Sequence, residues 1–179
     1  MVLYIIWESR KPPSKKRKYK MKKTYAINDS KNLWKRVRQI NSLEKDIKSK
    51  TTAQISARMN RIRKVVRDLS INDCLQDFFI NEAFSLIREA SRRILGFRHF
   101  DVQILCGLVL HYGGISEMKT GEGKTLASTL PSIFNSLFNR TVHIITLNSY
   151  LASRDLDWMS KLYKFFGITC SALVSGMSI

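Results

Sequence analysis

A short run of glycine, lysine and threonine near the middle of the chain has the composition of a phosphate-binding loop. It lies within residues 116–125, whose sequence is SEMKTGEGKT. Gly121 and Gly123 are small enough for backbone N–H groups to converge on phosphate oxygens. Lys124 can reach the outer phosphates, and the Thr125 hydroxyl can bind Mg²⁺. The run therefore predicts a site for a nucleoside triphosphate and Mg²⁺.

The first position of this loop departs from the pattern G-x-x-x-x-G-K-[ST]. Counting back from Gly123 places the first glycine at position 118, where the chain has Met118. Loops of helicase-type motors often have another residue there and keep a T-G-x-G-K-T core, which residues 120–125 provide. The departure therefore favours a motor ATPase.

The elements around the loop must hold it between a strand and a helix. Apolar, β-branched runs alternate with amphipathic segments from residue 115 onward, and Pro131 is expected to bend the first helix. The predicted order is strand, loop, helix, strand, helix and strand, with the elements at 115–118, 124–138, 141–148, 149–167 and 168–175. This alternation predicts an α/β fold with a parallel sheet (βαβαβ), the incomplete start of a P-loop motor domain.

Amphipathic helices precede this α/β segment. Residues 30–67 are predicted to be helical, with apolar residues three or four apart and a basic face in the second half. Residues 76–95 have one apolar stripe that ends before Gly96 and is expected to form core. Residues 102–110 are apolar and are also predicted to be helical. The chain thus divides into 1–29, a basic arm expected to be disordered, 30–97, an N-terminal helical region, and 98–179, the first part of a nucleotide-binding motor domain.

The charge of the chain is concentrated in its N-terminal part. The net charge is +17, and residues 1–70 hold 21 Lys and Arg against 5 Asp and Glu, whereas residues 71–179 hold 10 against 9. The basic arm is interpreted as solvated, with contact to nucleic acid or anionic lipid as the functional alternative. The chain has no apolar run long enough to span a membrane. Three scattered cysteines indicate a reducing compartment.

Other chemically capable residues share no useful spacing. The histidines lack metal-ligand spacing, the two nearby acids face apart on a helix, and two aromatic residues are interpreted as packing residues. They are His99, His111 and His143, Asp155 and Asp157, and Trp158 and Tyr163.

Several longer runs resemble one family. REASRRILGFRHFDVQ, EMKTGEGKTLASTLP, VHIITLNSYLASRD and DWMSKLYKFFG occur here in the order and spacing of the SecA family, the ATPases of the bacterial and plastid Sec preprotein translocase. The resemblance is strong over residues 82–176 and weaker over LWKRVRQINSLEKDI. It identifies the chain as similar to an N-terminal fragment, or a truncated homologue, of that family.

The resemblance implies ATP and Mg²⁺ as ligands and assigns residue roles. Gln103 corresponds to a glutamine that reads adenine, and Arg98 to an arginine of the same motif. Residues 121–125, including Glu122, correspond to the phosphate and Mg²⁺ loop, with Thr125 as the Mg²⁺ ligand. The implied partners are a SecY-type Sec channel, preproteins and, through the basic N-terminal region, anionic lipids. The implied location is the cytoplasm and the inner face of the plasma membrane, with plastid stroma and thylakoid membrane as the alternative.

The chain also departs from the family. Cys106, Ser149, Ser153 and Phe97 replace the usual glycine, aspartate, longer polar residue and methionine. The chain is much shorter, and no apolar strand ending in paired acids follows the loop, so deficient hydrolysis by this chain alone is expected. The alternatives are a fragment of a DEAD-like nucleic-acid helicase, disfavoured because the charge lies outside the motor segment, and a non-enzymatic basic module that binds a membrane or channel.

Overall fold

This computed structural model describes residues 4–9, 30–67 and 75–177, which contain seven helices and two strands. None of these helices combines the length and the apolar character needed to cross a membrane. The elements are β1 (Tyr4–Ser9), α1 (Ser30–Ser42), α2 (Glu44–Lys48), α3 (Thr52–Val66), α4 (Leu75–Ile94), α5 (Asp101–His111), α6 (Lys124–Ser136), β2 (Arg140–Ile145) and α7 (Ser149–Phe165).

Helix α4 lies at the centre of the core. It contacts five other helices, namely α1, α2, α3, α6 and α7. Its predicted apolar stripe is buried, which confirms the interpretation as core: Ala83, Leu86, Ile87 and Ala90 are at most 1% exposed. Burial of these side chains and of their partners on the surrounding helices supplies most of the driving force for this packing.

Local capping explains why residues 30–67 form three helices. The Thr51 hydroxyl accepts from the Gln54 N–H at 3.2 Å, and the Gln54 side chain accepts from the Thr51 N–H at 2.8 Å. This reciprocal pair starts α3. Asn148 caps α7 in a similar way by accepting from the Leu151 N–H at 2.9 Å. The second amphipathic segment predicted within residues 30–67 is therefore α3, and the capping pair at Thr51 marks its start.

The two strands form an antiparallel pair. Tyr4 lies opposite Ile145 and Ser9 opposite Arg140. The disorder expected of residues 1–29 therefore does not extend to Tyr4–Ser9, because its apolar, β-branched sequence finds a partner in β2. Residues 1–3 and 10–29 lie outside the described residues.

The parallel sheet expected after residue 115 is not present in the described residues. Residues 114–119 and 168–174 have no regular secondary structure; half-buried and exposed residues alternate along both, but no backbone hydrogen bond pairs either with a strand. A cleft of about 930 Å³ is lined by β2 and residues 167–173 together with parts of α6 and α7. The apolar, β-branched runs predict strands here but not their partners, since a ladder also requires neighbouring strands about 4.8 Å apart.

These two segments and β2 nevertheless pack against apolar clusters of the described residues. Met118 and Ile144 both pack on the small cluster of Cys106, Leu110 and Ala127. Ile144 also joins the main core, as do Ile168 and Cys170 of the last segment. Met118 before the loop and Ala127 after it therefore contact the same small cluster.

Candidate nucleotide-binding site

The predicted phosphate loop forms a tight turn that leads into α6. Gly121 has φ 87° and Gly123 has φ 77°, both in the left-handed region that favours glycine. Gly123 is the N-cap residue of α6, and Lys124 and Thr125 are the first two helical residues. Because the first N–H groups of a helix lack partners within it, this end is suited to an anion.

Gln103 connects α5 to the loop. It is 5% exposed, and its Oε1 accepts from the Phe100 N–H at 2.9 Å. Its Nε2 donates to the Glu122 carbonyl at 2.9 Å. A Cβ atom at Gly123 would collide with that Nε2. The glutamine predicted to read adenine thus lies against the phosphate loop, and Gly123 is required for its close approach.

Two charged side chains close the loop on itself. The Glu122 carboxylate accepts from the Lys119 N–H at 2.6 Å. The Lys124 ammonium donates to the Lys119 carbonyl at 2.5 Å. We call this arrangement the closed loop. A backbone N–H and an ammonium are the groups that would bind phosphate, and here both have partners within the loop.

Thr125 lies where the loop meets the cleft described above. Its side chain is half-buried and contributes to the cleft lining together with Ser128 and Asp155. The Ser128 hydroxyl donates to the Thr125 carbonyl at 2.8 Å, which supports the first turn of α6. Hydroxyl and carboxylate oxygens are ligands that suit Mg²⁺. Thr125 therefore presents a hydroxyl of the kind that Mg²⁺ binds at the edge of the cleft.

Arg98 binds a different element. Its Nε and Nη2 donate to the two carboxylate oxygens of Glu44 at 2.8 and 2.7 Å, and its Nη1 donates to the His99 carbonyl at 3.3 Å. Hydrogen bonding to Arg98 is the largest cause that lowers the pKa of Glu44 to about 2. Among the described residues, these bonds join Arg98 to α2, whereas Gln103 is joined to the loop.

A buried polar network that the sequence interpretation missed extends from this pair. Arg88 is 2% exposed and donates to the His99 carbonyl at 3.1 Å and to Asp101 at 3.3 Å, while Glu44 lies 3.7 Å away. Asn41 donates to the other oxygen of Asp101 at 3.0 Å. The sequence feature that could have revealed this network is Arg88, which follows Phe84 by four residues and so lies on the apolar side of α4. The network fixes the start of α5, and so Gln103.

The histidines are structural or exposed, as expected. His99 is fully buried, and its Nε2 lies 2.9 Å from the Leu126 carbonyl and 3.1 Å from the Thr129 hydroxyl. Burial lowers the pKa of His99 to about 4, so the ring is neutral near pH 7. His111 binds Asn135 at 2.8 Å, and His143 is exposed in the cleft lining. No metal-ligand cluster is formed within the described ranges.

The remaining candidates on α7 behave differently from one another. Tyr163 is buried, which agrees with packing, and burial raises the pKa of its hydroxyl. Trp158 is 59% exposed, and its ring packs against the Arg154 guanidinium rather than in the core. Its position near the polar end of the stripe allowed either outcome. Asp155 accepts from Arg154 at 2.7 Å, whereas Asp157 is exposed.

Comparison with known proteins places this geometry in a family. The model of the SecA DEAD-like domain matches residues 14–179. The chain is 49% identical over 148 residues to the protein translocase subunit SecA of Carboxydothermus hydrogenoformans, covering 82% of this chain and 16% of that protein. It is 45% identical over 146 residues to the SecA subunit of Crocosphaera subtropica, with 79% and 16% covered. It is 57% identical over 102 residues to that of Caulobacter vibrioides, with 57% and 11% covered. The chain thus spans 11–16% of the length of these relatives.

Proposed function

The chain belongs to the SecA family, and we propose that it forms the ATP-binding part of a motor that drives preproteins through a membrane channel. The observation that carries the proposal is the junction of the glycine-rich loop with the start of α6, with Gln103 held against it. The relatives are named as protein translocase subunits, which supports the transport role.

Each residue of the junction has a proposed task. Backbone N–H groups around Gly121 and Gly123 bind phosphate oxygens, because glycine adopts the left-handed turn and carries no side chain that would obstruct them. Lys124 neutralises phosphate charge, and Thr125 supplies a hydroxyl to Mg²⁺. The Mg²⁺ ion would supply charge neutralisation across the outer phosphates. Gln103 recognises adenine after exchanging one of its present hydrogen bonds. Arg98 is proposed to act at the same site, because it matches an arginine of the family's nucleotide-site motif.

The three predicted strands support a P-loop fold for this part. Each of the three segments has a half-buried side: Met118 and Ile144 pack on the small cluster, and Ile144, Ile168 and Cys170 pack on the main core. We therefore propose that they are the parallel strands of the family's α/β sheet. We propose binding as the activity of this part and slow hydrolysis by it alone, since hydrolysis also needs a group that orients water.

The partners and location follow the family. A Sec channel and preproteins are the proposed partners, and the basic N-terminal helices are the proposed contact with anionic lipid. Part of their charge is already paired, since Arg58 binds Asp46 and Glu82. The proposed location is the cytoplasmic face of the plasma membrane, with a plastid as the alternative.

The proposal is tested by measuring the Kd for ATP with Mg²⁺ by calorimetry. Lys124→Ala is expected to abolish binding because it removes the ammonium next to the loop. Lys161→Ala is the control, because it removes the same positive charge from an exposed position on α7. Unchanged affinity in Lys124→Ala would contradict the proposal.

A further inference from the structure

The closed loop joins its charged side chains to its own backbone. Phosphate binding at such a loop relies on backbone N–H donors and on the lysine. Here the Lys119 N–H donates to the Glu122 carboxylate at 2.6 Å, and the Lys124 ammonium donates to the Lys119 carbonyl at 2.5 Å. A carboxylate and a phosphate are both anions that accept charge-assisted hydrogen bonds. Glu122 therefore occupies a backbone donor two residues before Gly121, which an anion at the loop could otherwise use.

The rest of the turn supports the same arrangement. The Glu122 N–H donates to the Lys119 carbonyl at 3.3 Å, so backbone and side chain of Glu122 both bind Lys119. The Glu122 carbonyl in turn accepts from the buried Gln103 at 2.9 Å. Glu122 itself is exposed, so its carboxylate can turn into water without burying a charge. The position is held from α5, and the carboxylate is free to leave.

We propose that Glu122 is an internal competitor for phosphate, which holds the loop closed until a nucleoside triphosphate displaces its carboxylate from the Lys119 N–H. This inference rests on the proposed function, because it concerns regulation of the same site. Displacement frees the N–H for the phosphate and lets the exposed Glu122 carboxylate turn into water, away from the phosphate charge. Binding of the triphosphate and opening of the loop are therefore coupled.

The coupling sets the size of the effect. When only a fraction of molecules has an open loop, the apparent Kd is the intrinsic Kd divided by that fraction. If about one molecule in ten is open, removing the competitor tightens apparent binding about tenfold. Loss of one nearby negative charge in water also tightens binding, by less, and this smaller effect needs its own control.

Two variants separate the competitor from simple charge. Glu122→Gln removes the carboxylate and keeps the side-chain shape. Glu117→Gln removes one charge from an exposed position five residues earlier. The Kd of the full chain for a slowly hydrolysed ATP analogue with Mg²⁺ is measured by calorimetry at two salt concentrations. We expect binding about tenfold tighter in Glu122→Gln and within about twofold of wild type in Glu117→Gln.

A second measurement examines the closed loop without nucleotide. Exchange of the Lys119 amide hydrogen is followed by NMR in wild type, Glu122→Ala and Glu117→Gln. Exchange is expected to accelerate in Glu122→Ala only, since that variant removes the acceptor at 2.6 Å. Unchanged Lys119 exchange in Glu122→Ala overturns the inference.

The binding outcomes also distinguish this inference from the proposed function. Equal affinity of wild type and Glu122→Gln overturns the competitor role and leaves ATP binding intact. An equal gain in Glu117→Gln and Glu122→Gln shows a general charge effect and overturns it as well. Failure of both wild type and Glu122→Gln to bind the analogue contradicts the proposed function and this inference together.

Discussion

Arg98 and Glu44 form a two-pronged ion pair that connects the start of the motor segment to helix α2, with N–O distances of 2.7 and 2.8 Å. The same carboxylate lies 3.7 Å from the buried Arg88. One acid of the N-terminal helical region therefore serves two arginines next to α5. The helical region is in this way part of the support of the nucleotide site.

Glu44→Gln is expected to destabilise the chain by about 2 kcal/mol. It leaves the buried Arg88 with one charged partner fewer, and the partial exposure of Arg98 reduces the loss below that of a fully buried pair. The measurement is the free energy of unfolding in urea. Glu82→Gln is the matched control and is expected to cost less than about 1 kcal/mol, since Arg58 keeps Asp46. Equal losses in the two variants would contradict the special role of Glu44.

Stability is expected to fall in two steps on acidification. The pKa of His99 is lowered from 6.5 to about 4, so its contribution is complete above pH 6.5 and is lost as pH falls toward 4. That step corresponds to about 3 kcal/mol. The pKa of Glu44 is lowered from 4.5 to about 2, so its contribution is lost between pH 4.5 and 2. Unfolding in urea from pH 8 downward measures both steps.

The first step is assigned by following the histidine rings directly. NMR titration is expected to show His99 unprotonated down to about pH 4, because the ring is fully buried. The variant His143→Gln is the control for stability, since that residue is exposed and its loss should leave the step unchanged. A His99 ring that titrates near 6.5 in the folded chain would refute the assignment.

Gly123→Ala is expected to weaken ATP binding at least tenfold and to cost about 1–2 kcal/mol of stability. The new Cβ would collide with the Gln103 amide and would occupy a left-handed backbone conformation at φ 77°. Gly121→Ala tests the backbone strain alone, because φ is 87° and no atom lies within 4 Å of its Cβ position. Stability is measured in urea and affinity by calorimetry.

The collision itself is tested by a double variant. Gln103→Ala removes the amide that the new Cβ would meet. Gly123→Ala is therefore expected to cost less stability in the Gln103→Ala background than in the wild-type background. A double variant whose loss equals the sum of the single losses would show that Gln103 and Gly123 do not interact.

Met118→Gly is expected to change ATP affinity less than twofold but to cost about 1–2 kcal/mol of stability. The Met118 side chain is half-buried against Cys106 and Ala127, so the variant removes packing and adds backbone freedom. Met118→Leu retains the packing and is expected to preserve both properties. A large loss of affinity in Met118→Gly, at a temperature where the variant is folded, would show that the position contributes to the loop.

Apolar spacing predicted the helices well, because the buried side of a helix is visible in its sequence. Residues 76–95 and 102–110 were predicted, and α4 and α5 are Leu75–Ile94 and Asp101–His111. The same information was insufficient for the strands after residue 115, since alternation indicates a buried face and does not supply a hydrogen-bonding neighbour. Only β2 of the three predicted strands is paired.

The candidate site was predicted from short-range patterns, and its surroundings were not. The loop and the start of α6 lie within ten residues of sequence, so their spacing specifies the chemistry. The bond from Gln103 to Glu122 spans 19 residues, and that from Arg98 to Glu44 spans 54. Such contacts depend on how helices pack, and one sequence alone does not reveal which acid an arginine meets.

The unpaired segments at residues 114–119 and 168–174 affect the tendency of the chain to self-associate in solution. Ile115, Ile145 and Leu173 are 69%, 51% and 85% exposed, and the backbone of residues 169–174 makes no strand pairing within the described part. An extended backbone with open N–H and C=O groups and apolar side chains is a template for strands of other molecules. The isolated chain is therefore expected to self-associate more as its concentration rises. Dilution, or a peptide that pairs with these segments, is expected to reduce that self-association.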